Sequence, residues 1–198
     1  MRQVRVYSAD PLAAHSEQEL GRAASAHVLR VLRLRAGDAL TLFDGRGGEY
    51  PARLVRTGRA AAVVEVGAHL PLERESPLAI TLLQSLARGE KMDFIVQKGT
   101  ELGVTRIVPV AVGRSVMRVP QGREGRKLEH WRAVAASACE QCGRNRLPQI
   151  DAPVDLPSAL ALATSSEMRV LLSPEAPDTL SSVVRAHGTG GTGTPCPS

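Results

Sequence analysis

The segment Glu140-Gln141-Cys142-Gly143-Arg144-Asn145-Arg146 gathers a carboxylate, two amide side chains and two guanidiniums within seven residues. Such a set can hydrogen-bond the edge of a nucleobase and clamp a phosphate at once, because a guanidinium is a planar fork of donors and an amide both donates and accepts. The same residues also suit a polar helix end, with Gly143 as its cap and the cations complementing the helix dipole. The residues alone leave both readings open. A second set, Arg88 and Lys91 in the stretch Arg88 to Asp93, follows an apolar run that reads as a strand, where a ligand of a parallel sheet would sit. Its continuation, Gln97, Lys98 and Glu101, falls on the helix face opposite Met92, Ile95 and Val96. Polar residues there usually form a solvated face, with Lys98 and Glu101 an i,i+3 pair of small stability value. A third set, Arg30, Arg33 and Arg35, could grip phosphate at a helix end.

Other spacings carry no chemistry. Gly188, Gly190 and Gly193 satisfy G-x-G-x-x-G, but that loop must follow a strand and open a helix, and only five residues remain after it, two of them proline. Cys139 and Cys142 form a C-x-x-C without the two further ligands that a structural zinc needs, and the five histidines are scattered without metal spacing. No metal is expected. The third cysteine, Cys196, makes the count odd in a chain that opens without a secretory h-region, which argues for reduced thiols and residence in the cytoplasm. No apolar stretch approaches the length needed to cross a bilayer.

Charge narrows the partner. The chain carries a formal +5, and residues 114 to 146 hold eight Arg or Lys against three Glu, so this window accounts for the whole excess. Such focusing suits a polyanion, since phosphate contacts supply most of the affinity for nucleic acid. A solvated basic face is the plainer alternative.

The elements that must position these residues fall into two patterns. Gln3 to Tyr7, Ala39 to Phe43, Glu49 to Val55 and Ala61 to Val66 are short alternating or apolar runs separated by Asp44-Gly45 and Gly47-Gly48 turn chemistry. One helix interrupts them, from Leu20, Ala24, His27 and Val28 to Leu32. A small barrel is expected. The stretch LPLERESP, ending at Pro77, then marks a boundary. Beyond it the pattern becomes strand, helix, strand: Ile80 to Leu86, a helix through Leu102 stopped by Gly103, Thr105 to Val110, a helix over Lys127 to Cys142, another near Leu156 to Ala163, a buried strand at Met168 to Leu172, and a last helix at Thr179 to His187.

The string LARGEKMDFIVQKGTELGVTRIVPV, followed by RSVMR, KLEHWRAVAASACEQCGRNRLPQI and RVLLSPEA, strongly resembles the bacterial ribosomal RNA small subunit methyltransferase E family. RVYSAD, HVLRVLRLRAGD and LFDGRGGEY resemble its N-terminal part, so the likeness covers about residues 1 to 180. It implies an α/β protein with a β-rich N-terminal domain: a PUA-like β-barrel over 1–72 and a SPOUT-type parallel-sheet domain with a C-terminal trefoil knot over 77–185. It further implies S-adenosylmethionine as methyl donor, N3 of a uridine in small-subunit ribosomal RNA as acceptor, and homodimers. The GPEGG loop and LGPRILRTETA-like segment that hold the cofactor in the family do not occur, so the SPOUT domain is expected to be incomplete, no cofactor ligand is assigned, and 186–198 is expected to be a disordered or aberrant tail. On this reading Glu140, Arg144 and Asn145 are the expected catalytic residues, with Glu101 an alternative base. Arg30, Arg33, Arg88, Lys91, Lys98, Gln141 and Arg146 are expected to contact RNA. A cofactor-free RNA-binding module and a non-functional truncation product remain the alternatives.

Overall fold

The computed structural model describes residues 4–58, 61–112 and 124–188. By compactness the chain divides into one unit from Met1 to Leu156 and a second from Pro157 to Ser198.

The first unit holds two sheets. One has the order β1-β3-β4-β5-β2, formed by Arg5–Tyr7 (β1), Ser16–Glu19 (β2), Ala39–Phe43 (β3), Tyr50–Thr57 (β4) and Ala62–Val66 (β5). Only the β1 and β3 pair is parallel; the other ladders are antiparallel. Alternation explains the pairing: Ala52 and Leu54 of β4 and Ala62, Val64 and Val66 of β5 point inward, while Arg53 and Glu65 point out. The ladder slips between Leu54 and Arg56, a bulge that adds local twist. Strand β2 was not foreseen, because SEQE has no apolar residue; its Ser16 and Gln18 are only half-buried at the sheet edge beside Val66 and Val64. The expected helix is Arg22–Ala26 (α1) running into a π-helical turn at His27–Val31. Ser25, fully buried, ties it to the sheet: its Oγ donates to Leu20 O at 2.7 Å and accepts from Ala62 N at 3.1 Å. Leu20, Ala24 and Val28 close one core with Val6, Leu42 and Leu54.

The other sheet is parallel. Thr81–Ser85 (β6) pairs with Arg106–Ala111 (β7), which pairs with Gln149–Ile150 (β8) and further along with Val154–Asp155 (β9). Glu90–Glu101 (α2) and Glu124–Cys142 (α3) are its crossovers. The apolar stripes fall as expected, with Met92 and Val96 of α2 and Trp131 and Ala135 of α3 meeting Ile107 and Ile150 in a second core. Ala135 and Ala138 are small enough to bring α3 close to its neighbours. The string RSVMR lies outside the described residues.

The second unit contains most of Leu156–Leu162 (α4), whose first residue belongs to the first unit, and Leu180–Gly188 (α5). The buried strand expected at Met168 to Leu172 is not there: these residues adopt no strand among the described residues, and Leu171 is 90% exposed. A run of apolar residues makes a strand only where a neighbouring edge offers backbone partners, and none is paired with it. Helix α5 runs through Gly188 and so includes the first three residues of the expected tail; 189–198 lie outside the described residues.

Gly103 stops α2 at φ +92°, its N–H donating to Thr100 O at 3.1 Å. A side chain there meets the left-handed penalty of about 1–2 kcal/mol. Gly103→Ala should therefore lower unfolding free energy by about that amount in urea titration; an unchanged midpoint would show that the turn relaxes freely.

Candidate functional site

Helix α3 ends where its sequence says it should. Gly143, at φ +89°, donates its N–H to Cys139 O at 3.0 Å, and the chain turns so that the next three side chains point in different directions.

Arg144 points inward and is 6% exposed. Its Nε donates to both Glu75 oxygens at 3.1 and 2.9 Å, its Nη2 donates to Glu75 Oε2, and its Nη1 donates to Thr100 O at 2.7 Å and Val104 O at 3.0 Å. All three guanidinium nitrogens are thus committed, two of them to the carboxylate and one to two carbonyls, one in the last turn of α2 and one just beyond it. Asn145 is fully buried: Nδ2 donates to Leu72 O at 2.9 Å, and Oδ1 accepts from Arg5 Nη2 at 2.6 Å. Arg5 also donates to Glu49 and to Arg144 O, and its guanidinium lies 5.0 Å over the Phe43 ring. Glu49, 4% exposed, takes a second cation, with Arg74 Nη1 at 2.6 Å and Nη2 at 3.1 Å. Arg146 lies outside and pairs with Glu73 at 2.7 Å.

These contacts form one lattice. Leu72 to Glu75 is clamped by Arg144, Asn145 and Arg146 on one side and by Glu49 on the other. The Arg74 hydrogen bond holds the Glu49 carboxyl down at about 2, against the burial that pushes it up and with Arg5 helping. Arg146 likewise lowers Glu73 and is raised by it.

Glu140 faces the other way. Its Oε1 accepts from the backbone N–H of Tyr7 at 3.0 Å, and its Oε2 lies 3.6 Å from His27 Nε2. The side chain is 10% exposed, so a base role there would start from a carboxylate that already holds β1. Gln141 is exposed on the last turn of α3.

Direct nucleotide contact by Arg144 and Asn145, expected from their types, is not met by this geometry, because their donors and acceptors are used within the protein and their side chains are shielded from solvent. They position other elements. Arg30, Arg33, Arg88 and Lys91 are exposed and make no ion pair with a described residue. Lys98 is half-buried and pairs with Glu101 at 2.6 Å, as the i,i+3 spacing suggested; Gln97 also donates to Glu101, at 2.9 Å. Both contacts lower the Glu101 carboxyl, Lys98 the more. Sequence reasoning missed Arg5, His27, Glu49 and the acidic half of the lattice. A signal was present: Glu73 and Glu75 repeat at the same spacing as Arg144 and Arg146, so two extended segments can pair E-x-E against R-x-R.

Among the described residues no three or more His, Cys, Asp or Glu side chains gather as a metal site would. Cys139 is buried and Cys142 exposed. No described helix is long and apolar enough to cross a membrane.

Comparison with known proteins supplies the context. Residues 74–193 match the family described as RNA methyltransferase domain, and residues 20–67 match that described as RNA methyltransferase PUA domain. The ribosomal RNA small subunit methyltransferase E of Buchnera aphidicola subsp. Acyrthosiphon pisum is 30% identical over 77% of this chain and 60% of its own length. That of Bacillus subtilis is 30% identical over 63% of this chain and 48% of its own. The chain thus spans about half of these relatives. Among solved structures, a putative methyltransferase from Legionella pneumophila in complex with the cofactor SAM is 32% identical, covering 92% of this chain and 75% of its own, with a TM-score of 0.86. The ribosomal RNA small subunit methyltransferase E from Neisseria gonorrhoeae bound to S-adenosyl methionine is 36% identical over 85% of this chain and 67% of its own, at 0.76.

Removing Arg144 would take from Glu75 its cation and from Val104 O its donor in a shielded site, so Arg144→Ala should cost about 3–5 kcal/mol. Arg146→Ala, at a pair about half exposed, should cost no more than about 1 kcal/mol. Equal effects of the two in urea unfolding would refute the inward and outward assignment. A second expectation concerns acid. Glu49 titrates lower in the folded than in the unfolded chain, so its contribution of about 3 kcal/mol is complete above pH 4.5 and disappears as pH falls toward 2. The stability gap between the native chain and Glu49→Gln should narrow across that window, and a constant gap would contradict it.

Proposed function

Because the chain belongs to the RNA methyltransferase family, we propose that it serves in S-adenosylmethionine-dependent methylation of small-subunit ribosomal RNA, at N3 of a uridine. The names of its relatives and the cofactor in two similar structures support this reading. One observation carries the RNA part: the arginines that could serve the interior are committed to the lattice, while Arg88, Lys91, Arg30 and Arg33 stand exposed without ion pairs to described residues. Arg88 and Lys91 lie beyond the carboxyl end of β6, where parallel sheets receive ligands. These four contact phosphates, Gln141 and Lys98 add polar contacts to the RNA, and Arg144 and Asn145 act by holding the framework. The functional division follows 72 to 77, a β-rich RNA-gripping part and a catalytic part. Cytoplasmic residence and the pairing of two copies that the family resemblance implies belong to the same proposal.

The acceptor chemistry sets one requirement on the substrate. N3 lies on the pairing edge of uracil and carries a proton, so the uridine must be unpaired when it reacts. The donor is another matter. At the carboxyl ends of β6 and β7, Ser85, Arg88, Gly89, Glu90 and Ala111 are exposed, Leu86 is buried, and Ala87 and Val112 are half-buried. None of these side chains is assigned to the cofactor, and no step through it is derived. A second reading, RNA binding without methyl transfer, rests on the same exposed cations.

Three measurements on the chain separate these. It should bind a small-subunit ribosomal RNA fragment with an affinity that falls as salt rises, and Arg88→Glu with Lys91→Glu should weaken it roughly tenfold. Tritium passing from labelled S-adenosylmethionine into the RNA supports the enzyme. RNA binding with neither transfer nor heat on adding S-adenosylmethionine supports the second reading, and absence of RNA binding overturns both.

A further inference from the structure

A cleft of about 620 Å³ runs between the Arg22–Val31 segment and the flank of α3. That volume is in the range of small-molecule sites. Small side chains line it from both helical segments, Ala23 and Ala24 from one and Ala133 and Ala136 from the other, with Tyr7 and Pro148 also in the lining. Alanines on facing helices leave a slot that larger residues would fill. Its lining also carries the polar groups of His27, Glu140, Glu129 and Arg132. The Glu140 carboxylate, anchored by Tyr7 N–H, faces the His27 imidazole at 3.6 Å. Arg132 stands exposed and makes no ion pair with a described residue.

We propose that this cleft binds one unpaired RNA nucleotide, its base between the alanine walls with its edge on Glu140 and His27, and its phosphate on Arg132. The inference rests on the RNA-binding reading above and extends it to a cleft that neither Arg88 nor Lys91 lines. Shape and charge select this occupant. A nucleobase is a flat apolar body whose edge carries donors and acceptors, and a carboxylate is the acceptor that takes a base amino or imino group. A slot that buries the faces of a base supplies contact without demanding a particular sequence. Glu129, exposed beside the same cleft, keeps the local charge mixed. That disfavours a groove for continuous polyanion and favours a single phosphate beside a base. Arg22 and Arg30, exposed on the segment that forms one wall, and Arg126, exposed on α3, supply positive charge for the flanking backbone.

The test uses the full chain and a short single-stranded RNA carrying 4-thiouridine. Photo-crosslinks on the unaltered protein should map to peptides containing Ala23–His27 or Ala133–Glu140. Ala133→Trp, a substitution at an exposed position of the wall, should weaken binding of the same RNA roughly tenfold, as expected for the loss of one nucleotide's contacts. RNA bound with unchanged affinity by Ala133→Trp, with crosslinks elsewhere, overturns the slot and leaves the RNA-binding reading intact. Loss of the crosslinks on adding S-adenosylmethionine alone also overturns it, since the occupant would then be the cofactor. An unaltered chain that binds no RNA overturns slot and reading together. Crosslinking needs no variant, so a misfolded Ala133→Trp does not remove the test.

Discussion

A guanidinium shielded from water must have its charge answered by protein, and Arg144 meets that requirement by drawing three parts of the chain to one point. Its carboxylate partner, Glu75, comes from the segment between the two sheets, and its carbonyl partners, Thr100 and Val104, come from the last turn of α2 and the turn after it. Its own carbonyl accepts from Arg5 of β1. Partial formation leaves buried charge unpaired, so the lattice favours all of its contacts or none. The two apolar cores of the first unit, one around Leu42 and Leu54 and the other around Val96 and Ile107, share no residue. The charged lattice lies across the chain segment that joins them.

This division of cations gives the chain its functional character. Arg5, Arg74 and Arg144 are fixed by carboxylates and act through geometry. Others, Arg30, Arg88 and Lys91 among them, keep their charge for solvent or a partner. A basic composition alone does not separate these classes. In this chain Arg144, Asn145 and Arg146, within the segment richest in contact chemistry, are engaged by the protein itself, while the plainer exposed cations carry the RNA reading.

Much of the fold was legible because its signals are local. Ala39 to Phe43 is a strand with the bounds its apolar run suggested, and Trp131 and Ala135 face inward at helical spacing. Gly103 and Gly143 end their helices because a left-handed turn is open to glycine at little cost. The failures are non-local. Ser16–Glu19 is a strand only because β5 offers it an edge, and Gln149–Ile150 and Val154–Asp155 are too short to show a period. Met168 to Leu172 has the composition of a strand and no ladder. The lattice was missed for the same reason, since Glu75 and Arg144 are 69 residues apart and only the matching charge spacing of the two segments hinted at their pairing.

Calorimetry tests the central claim most directly. If the Arg144 lattice couples the two cores of the first unit, that unit should unfold in a single transition whose van't Hoff and calorimetric enthalpies agree, and Glu75→Ala should split it in two. Two separate transitions in the unaltered chain, one for each core, would contradict the account.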